Sequence, residues 1–360
     1  MTIRTEPAMR VLSLGAGVQS TTLLLLSAEG RLPKLDAAVF ADTGWEPAAV
    51  YDHLNRIEEE VAKPAGIPIY RVTAGNIRHD ALDPAHRFAS MPLFIKNPDG
   101  GDGMTRRQCT SEYKLKPIKA RVRQMLGYPH PKPVPRGVFA EQWIGISRDE
   151  FGRAKDSGIN YLKSHHPLLY MDGAADGREG WTRDDCTRYL KASGWETTPK
   201  SACVGCPFHG NAQWRRLRDT CIRCGHHRDE HWRILFQATP RCGHLYNPGA
   251  GDDVAAEVCE CPGFHAPEWD DAVDFDASIR SGNARGNANG KPLLGEAYLH
   301  RSRLPLDEAP IDRVTAHEWA SKQTDIFGQI ADAELEQGDP DGCSPWTCRS
   351  GQPVDTGDSA

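Results

Sequence analysis

Eleven cysteines and one glycine-bounded bend are the residues of this 360-residue chain whose types and spacing could do chemistry. Nine of the cysteines fall between Cys109 and Cys261. In a reducing compartment such clusters bind metal or do redox chemistry more often than they form disulfides. A first set is Cys109, Cys186, Cys203 and Cys206. Cys203 and Cys206 form a CxxC followed by Pro207, a turn that aims two thiolates at one centre. Cys109 precedes a basic segment in which Arg106, Arg107 and Lys114 would lower a thiol pKa. Thiolates from separated segments plus a CxxC can hold a 4Fe–4S cluster or zinc. Cys186 lies inside a helical pattern and reads either as a fourth ligand or as a buried structural thiol.

A second set lies in "CIRCGHH", "RCGH" and "CECPGFH". Cys221, Cys224, Cys242, Cys259 and Cys261 are five candidates for a site needing four, with His226, His227, His231, His244 and His265 in reserve. A loop-rich stretch without a core of its own needs a staple, and this spacing reads as structural zinc, the alternative being a redox thiol pair. Cys343 and Cys348 stand apart near the C-terminal end.

The bend is "SLGAGVQSTTLLLL", residues 13–26. A strand that ends in Gly15-Ala16-Gly17 and turns into a helix opening with Gln19, Ser20 and Thr21 is, in physical terms, a phosphate cradle. The glycines permit a sharp turn and close approach of a ligand. The helix N-terminus supplies free N–H groups and a partial positive charge. There is no Gly-Lys-Ser/Thr, which excludes a Walker P-loop, and the third glycine of the dinucleotide fingerprint is absent.

The elements that must position these groups alternate. Residues 9–14 read as a buried strand, 35–44 and 67–75 as a second and third, with helices between them. A basic helix is expected from Thr110 to Leu126, and residues 138–147 resume the strand pattern. Thr182 with Asp185 three residues on is a capping-box start, and Gly194 a stop. Strand–helix alternation of this length predicts a parallel α/β sheet with crossover helices. Composition changes at Cys221, and helical pattern returns over 267–282, so 221–265 reads as an insert. The expected division is a nucleotide-binding α/β domain over 1–200 and a helical part over 201–310, interrupted by that insert. A partly disordered tail is expected over 311–360.

The chain carries a net charge of −6, with 39% hydrophobic and 26% charged residues, as ordinary globular proteins do. No apolar run approaches the roughly 20 residues needed to cross a bilayer, and no secretion signal opens the chain, so a cytoplasmic protein without a membrane partner is expected. Residues 105–124 hold seven Lys or Arg against one Glu, a basic patch suited to a phosphate-bearing ligand or one face of a nucleic acid.

Five motifs in order carry a resemblance. "GAGVQS" (15–20) fills the frame of the pyrophosphate loop of the PP-loop ATP pyrophosphatases, usually Ser-Gly-Gly-x-Asp-Ser, with Gly15, Ala16 and Gln19 as departures. "FADTGWEPAAVYDHL" (40–54) resembles the Asp-Thr-Gly-x-Glu segment of the phosphoadenosine-phosphosulfate (PAPS) reductase-like branch. "RRQCTSEYKLKPI" (106–118), "IGISRDEFGR" and "SACVGCPFHGNAQWRRL" continue it, over roughly 9–220 and again 267–306.

The resemblance implies the adenine nucleotide alpha hydrolase-like (HUP/PP-loop) fold. It implies ATP and Mg2+ at Gly15–Thr21, with Asp42 and Thr43 near the nucleotide and Lys114 or Arg107 offsetting phosphate charge. Ser147, Glu150 and Arg153 would border the same pocket. Sulfonucleotide reductases, DNA-phosphorothioation sulfur-activating enzymes and tRNA-thiolating PP-loop enzymes place an iron–sulfur cluster beside the nucleotide, which would give Cys109, Cys186, Cys203 and Cys206 that role. The activity implied is adenylation of an acceptor for sulfur transfer, with Asp42, Cys109 and Lys114 catalytic. The acceptor would be a nucleic acid, a nucleotide or a metabolite. The sulfur donor would be a cysteine desulfurase or a persulfide. Two other readings stand beside it: a sulfonucleotide reductase using thioredoxin, and a non-catalytic nucleotide- and zinc-binding protein that touches nucleic acid.

Overall fold

The computed structural model describes residues 6–83, 85–86, 91–223, 225, 227–228, 264–280, 293, 295–315 and 318. Its centre is strand β1 (Met9–Leu14), whose last four residues are buried. Strands β2 (Ala37–Asp42) and β3 (Ile69–Thr73) add on one side, β6 (Ala140–Trp143) and β7 (Leu162–His165) on the other. The order is β3-β2-β1-β6-β7 and every pairing is parallel. Leu12 sits between Ala38 and Trp143 in register. A sheet covered on both faces explains why β1 and β2 read as continuous apolar runs rather than alternating ones.

Helices cover both faces. On one, α1 (Val18–Ala28), α2 (Ala48–Ile57) and α5 (Arg183–Ala192) pack a core of Leu12, Leu23, Leu26, Leu54, Trp143 and Trp195. Residues Val18 through Ser27 of α1 are all buried, so this helix lies inside the protein rather than on its surface. On the other face α4 (Lys116–Met125) sets Ile118 and Val122 against Val11 and Val39. Thr182 caps α5 by accepting from the Asp185 amide, 3.1 Å, and Asp185 returns a bond to the Thr182 amide, 2.8 Å. The α/β class with a parallel sheet is thus the observed architecture.

The basic helix expected from Thr110 begins differently. Residues Thr110–Leu115 form a π-helical turn before α4 takes over. Pro117 is the physical reason: it has no N–H, and its ring crowds the carbonyl four residues back, at Tyr113. Strand β6 is also shorter than the 138–147 pattern suggested, because the chain turns under α1 at Gly145.

A second, antiparallel sheet escaped the sequence reading. Strand β4 (Phe94–Lys96) pairs with β5 (Asp102–Met104) and β8 (Glu296–Tyr298), setting Phe94 opposite both Met104 and Tyr298. It shares a core with α3 (Ile77–Leu82), α6 (Asn211–Asp219) and α7 (Pro267–Ser278). That core joins residues before and after 200. Asp276 pins it: the buried carboxylate accepts from the Leu299 amide at 2.7 Å and the Leu306 amide at 2.9 Å, and pairs with Arg280. The helices flanking the Cys-rich segment pack together, with Trp214 and Trp269 6.5 Å apart, and Ile222 N–H donates to the His265 carbonyl at 2.9 Å. No helix among the described residues is long and apolar enough to cross a membrane.

Candidate functional site

In the parallel sheet the chain runs outward from β1 to β2 and β3, then returns to the other side of β1 with β6. The carboxyl ends of β1 and β6 therefore flank a topological switch point, where open α/β sheets form their ligand crevice. The Gly15–Ser20 bend leaves β1 at that point. Ala16 is fully buried with φ of +57°, left-handed backbone that costs a non-glycine residue about 1 kcal/mol. The Ser20 hydroxyl accepts from the amides of Gly15 (3.2 Å) and Gly17 (3.3 Å), which holds the turn closed on itself. The first intrahelical bond of α1 runs from Thr21 N–H to the Gly17 carbonyl, 2.9 Å. The Val18, Gln19 and Ser20 amides precede it and have no acceptor within the helix. Thr21 turns inward instead: its hydroxyl lies 3.0 Å from His53 Nε2, and burial pushes the His53 pKa down to about 4.

The β6 side of the crevice approaches closely. A Cβ on Gly145 would lie 2.9 Å from Gln19 Cβ and from the Ser20 nitrogen, so only glycine lets the two backbones meet. Beyond it, Gln19 Nε2 donates to Ser147 Oγ at 3.4 Å and to Glu150 Oε2 at 3.1 Å. Glu150 also pairs with Arg153 in the 3-10 turn Arg148–Arg153. Ser147 and Glu150 thus meet Gln19 at the bend, and Arg153 pairs with Glu150.

The β2 side carries the thiols. Asp42 ends β2 and accepts at Oδ1 from the Gly44 amide (2.7 Å) and the Tyr51 hydroxyl (2.8 Å). Burial and this carboxylate raise the Tyr51 pKa, so the phenol stays protonated. Thr43, fully buried, donates to Glu46 Oε1 at 3.2 Å and lies 3.2 Å from Cys203 Sγ. The Cys203 thiol is 3.9 Å from the same carboxylate oxygen, and Lys114 Nζ reaches it at 3.6 Å. A thiol, a hydroxyl and an ammonium group thus converge on one buried oxygen of Glu46. Glu46 has no role among the sequence-based expectations; its one signal in the sequence is an acidic residue four positions after the strand-ending Asp42.

Cys203 and Cys206 are buried in the second core, and Cys109 packs against it. Trp45 fixes the CxxC turn: Val204 N–H donates to the Trp45 carbonyl at 2.8 Å, and a Cβ on Gly205 would fall 2.1 Å from the Trp45 ring. Cys186 is elsewhere, on α5 in the core that α1 fills, with Thr22 beside it and its pKa pushed up to about 12 by burial. The expected four-thiolate set is therefore not gathered at one centre. Among the described residues, no group of three or more His, Cys, Asp or Glu is placed to hold a metal ion. Arg107 lies over the Phe208 ring, 4.6 Å from its centroid. Of the second cysteine set only Cys221 is described, fully buried after α6. Cys224, Cys242, Cys259 and Cys261, with Cys343 and Cys348, lie outside the described residues, as do His226, His231 and His244.

No protein-family model matches the chain, and no curated protein sequence matches it.

Proposed function

We propose that this chain is a HUP/PP-loop enzyme of the PAPS reductase-like kind that binds ATP at the β1–α1 bend and adenylates an acceptor for sulfur transfer. The observation that carries the reading is the placement of that bend. A glycine-bounded turn with three helix-opening amides sits at the switch point of a parallel sheet, and a buried thiol stands at the neighbouring strand end. Amides and the helix dipole favour the negative charge of a phosphate chain. An acceptor oxygen would form a bond to the α-phosphorus while the bond to the pyrophosphate oxygen breaks. The protein's part is to hold the two groups in line and stabilise the charge that moves onto pyrophosphate. The outer sulfur of a persulfide donor would then attack the activated carbon and displace AMP, and a second thiol would release the thiolated acceptor by forming a disulfide with the donor cysteine sulfur.

Asp42 is held at the carboxyl end of β2 by Gly44 and Tyr51. Lys114 is held by Glu46 on the thiol side. Cys186 lies in a different core from Cys109, Cys203 and Cys206. The test is pyrophosphate and AMP release from magnesium ATP in the presence of nucleic-acid, nucleotide and small-molecule acceptors. Acceptor-dependent pyrophosphate supports the proposal. Sulfite release from a sulfonucleotide with no pyrophosphate from ATP would replace it with reductase chemistry.

A further inference from the structure

The side chain of Gln19 belongs to the second residue of α1, where a ligand's phosphates would meet the helix, yet it points across the crevice. Its amide nitrogen donates to Glu150 Oε2 at 3.1 Å and Ser147 Oγ at 3.4 Å, residues more than 120 positions away. Both ends of this bridge are buried: Gln19 is 8% exposed and the Glu150 side chain 8%. The other carboxylate oxygen of Glu150 pairs with Arg153. Directly beneath, the Gly145 backbone touches the first turn of α1. The wall facing the bend thus sets the neutral amide of Gln19 against the Glu150–Arg153 ion pair.

That pairing depends on residue 19. An amide can donate to Glu150; a carboxylate in its place would meet another carboxylate at about 3 Å in a partly buried setting, where like charges repel strongly. The wall would gain a negative charge beside a site meant for a polyanion, and the crevice would be forced wider.

We propose that Gln19 is a positioning residue of the nucleotide site: by bridging α1 to Glu150 and Ser147 it sets the width of the crevice without adding negative charge to the wall that faces a phosphate chain. This rests on the proposed ATP site. The role is held by geometry rather than by contact with reacting atoms, so it governs ligand affinity and placement.

The experiment is calorimetric titration of magnesium ATP into the full-length wild type, Gln19→Glu, Glu150→Gln, the double variant Gln19→Glu/Glu150→Gln, and Gln19→Met, with thermal melting of each. The expected result is binding about tenfold weaker in Gln19→Glu and recovery of most of that loss in the double variant, where a donor and an acceptor again face each other. Gln19→Met, which loses the bridge without gaining charge, should weaken binding by a smaller factor. Equal affinities in wild type, Gln19→Glu and Gln19→Met would overturn the inference, as would a double variant no better than Gln19→Glu. Should Gln19→Glu fail to fold, Gln19→Met alone decides: unchanged affinity overturns the inference and weakened affinity supports it. Absence of ATP binding in the wild type would instead remove the nucleotide site on which the inference stands.

Discussion

Replacing Gly145 with alanine puts the meeting of β6 and α1 under direct test. The new methyl would stand 2.9 Å from Gln19 Cβ, 2.9 Å from the Ser20 nitrogen and 3.0 Å from the Gln19 carbonyl carbon. Ordinary contact begins at about 3.4 Å, so the two backbones must part by about half an ångström. Neither side is free to give. Ile144 and Ile146 on either flank are buried, and Ile144 N–H is tied to the His165 carbonyl at 3.0 Å. Strain of this kind costs about 1–3 kcal/mol. Because the displaced atoms include the amides offered to phosphate, ATP affinity should fall as well. A misplacement of about half an ångström weakens well-aligned contacts by about tenfold. Equilibrium urea unfolding followed by tryptophan fluorescence reads the first effect, and calorimetric titration with ATP the second. A variant as stable as wild type would refute the packing argument. One that is destabilised yet binds ATP with wild-type affinity would refute the placement of the nucleotide.

Two further outcomes follow from the same packing and charge arguments. Gly205→Ala should destabilise the protein by about 2–3 kcal/mol in urea unfolding, because its methyl would lie 2.1 Å from a Trp45 ring already held by Asp271 at 2.6 Å and by the edge of Phe275; a loss below about 0.5 kcal/mol would contradict this. Burial lowers the pKa of His53 and of His300 to about 4, so both stay neutral in the folded protein while the unfolded chain takes up protons near 6.5. Their contribution is complete above that value and is lost as pH falls toward 4, each histidine adding a slope approaching about 1.4 kcal/mol per pH unit. His300→Gln should flatten the fall in stability between those limits, and an unchanged slope would show that His300 does not titrate in this way.

The sequence carried the framework of the sheet well, for physical reasons that particular residues make plain. Val11–Leu14 and Ala37–Ala41 are buried on both faces and so stand out as apolar runs. Thr182 and Asp185 signal a helix start through local hydrogen bonds that need no tertiary partner. The three-residue strands β4, β5 and β8 are too short for a period to register, and β8 pairs with a segment some 200 residues earlier. Gly145 looks like any glycine until the backbone of α1 lies against it. Glu46 gains meaning only when Lys114 and Cys203 arrive from distant parts of the chain. Position in sequence likewise says nothing about which core a thiol enters: Cys186 follows the inward face of α5, while Cys203 and Cys206 follow a turn clamped by Trp45.

The most direct test of the central claim is a crystal structure of the protein with α,β-methylene-ATP, an analogue that cannot release pyrophosphate. The phosphate chain should lie against Gly15–Ser20, within hydrogen-bond distance of the first amides of α1 and facing the Gln19–Glu150 bridge. A nucleotide bound away from the carboxyl ends of β1 and β6, or a bend that stays closed on Ser20 with the analogue seated elsewhere, would contradict the account.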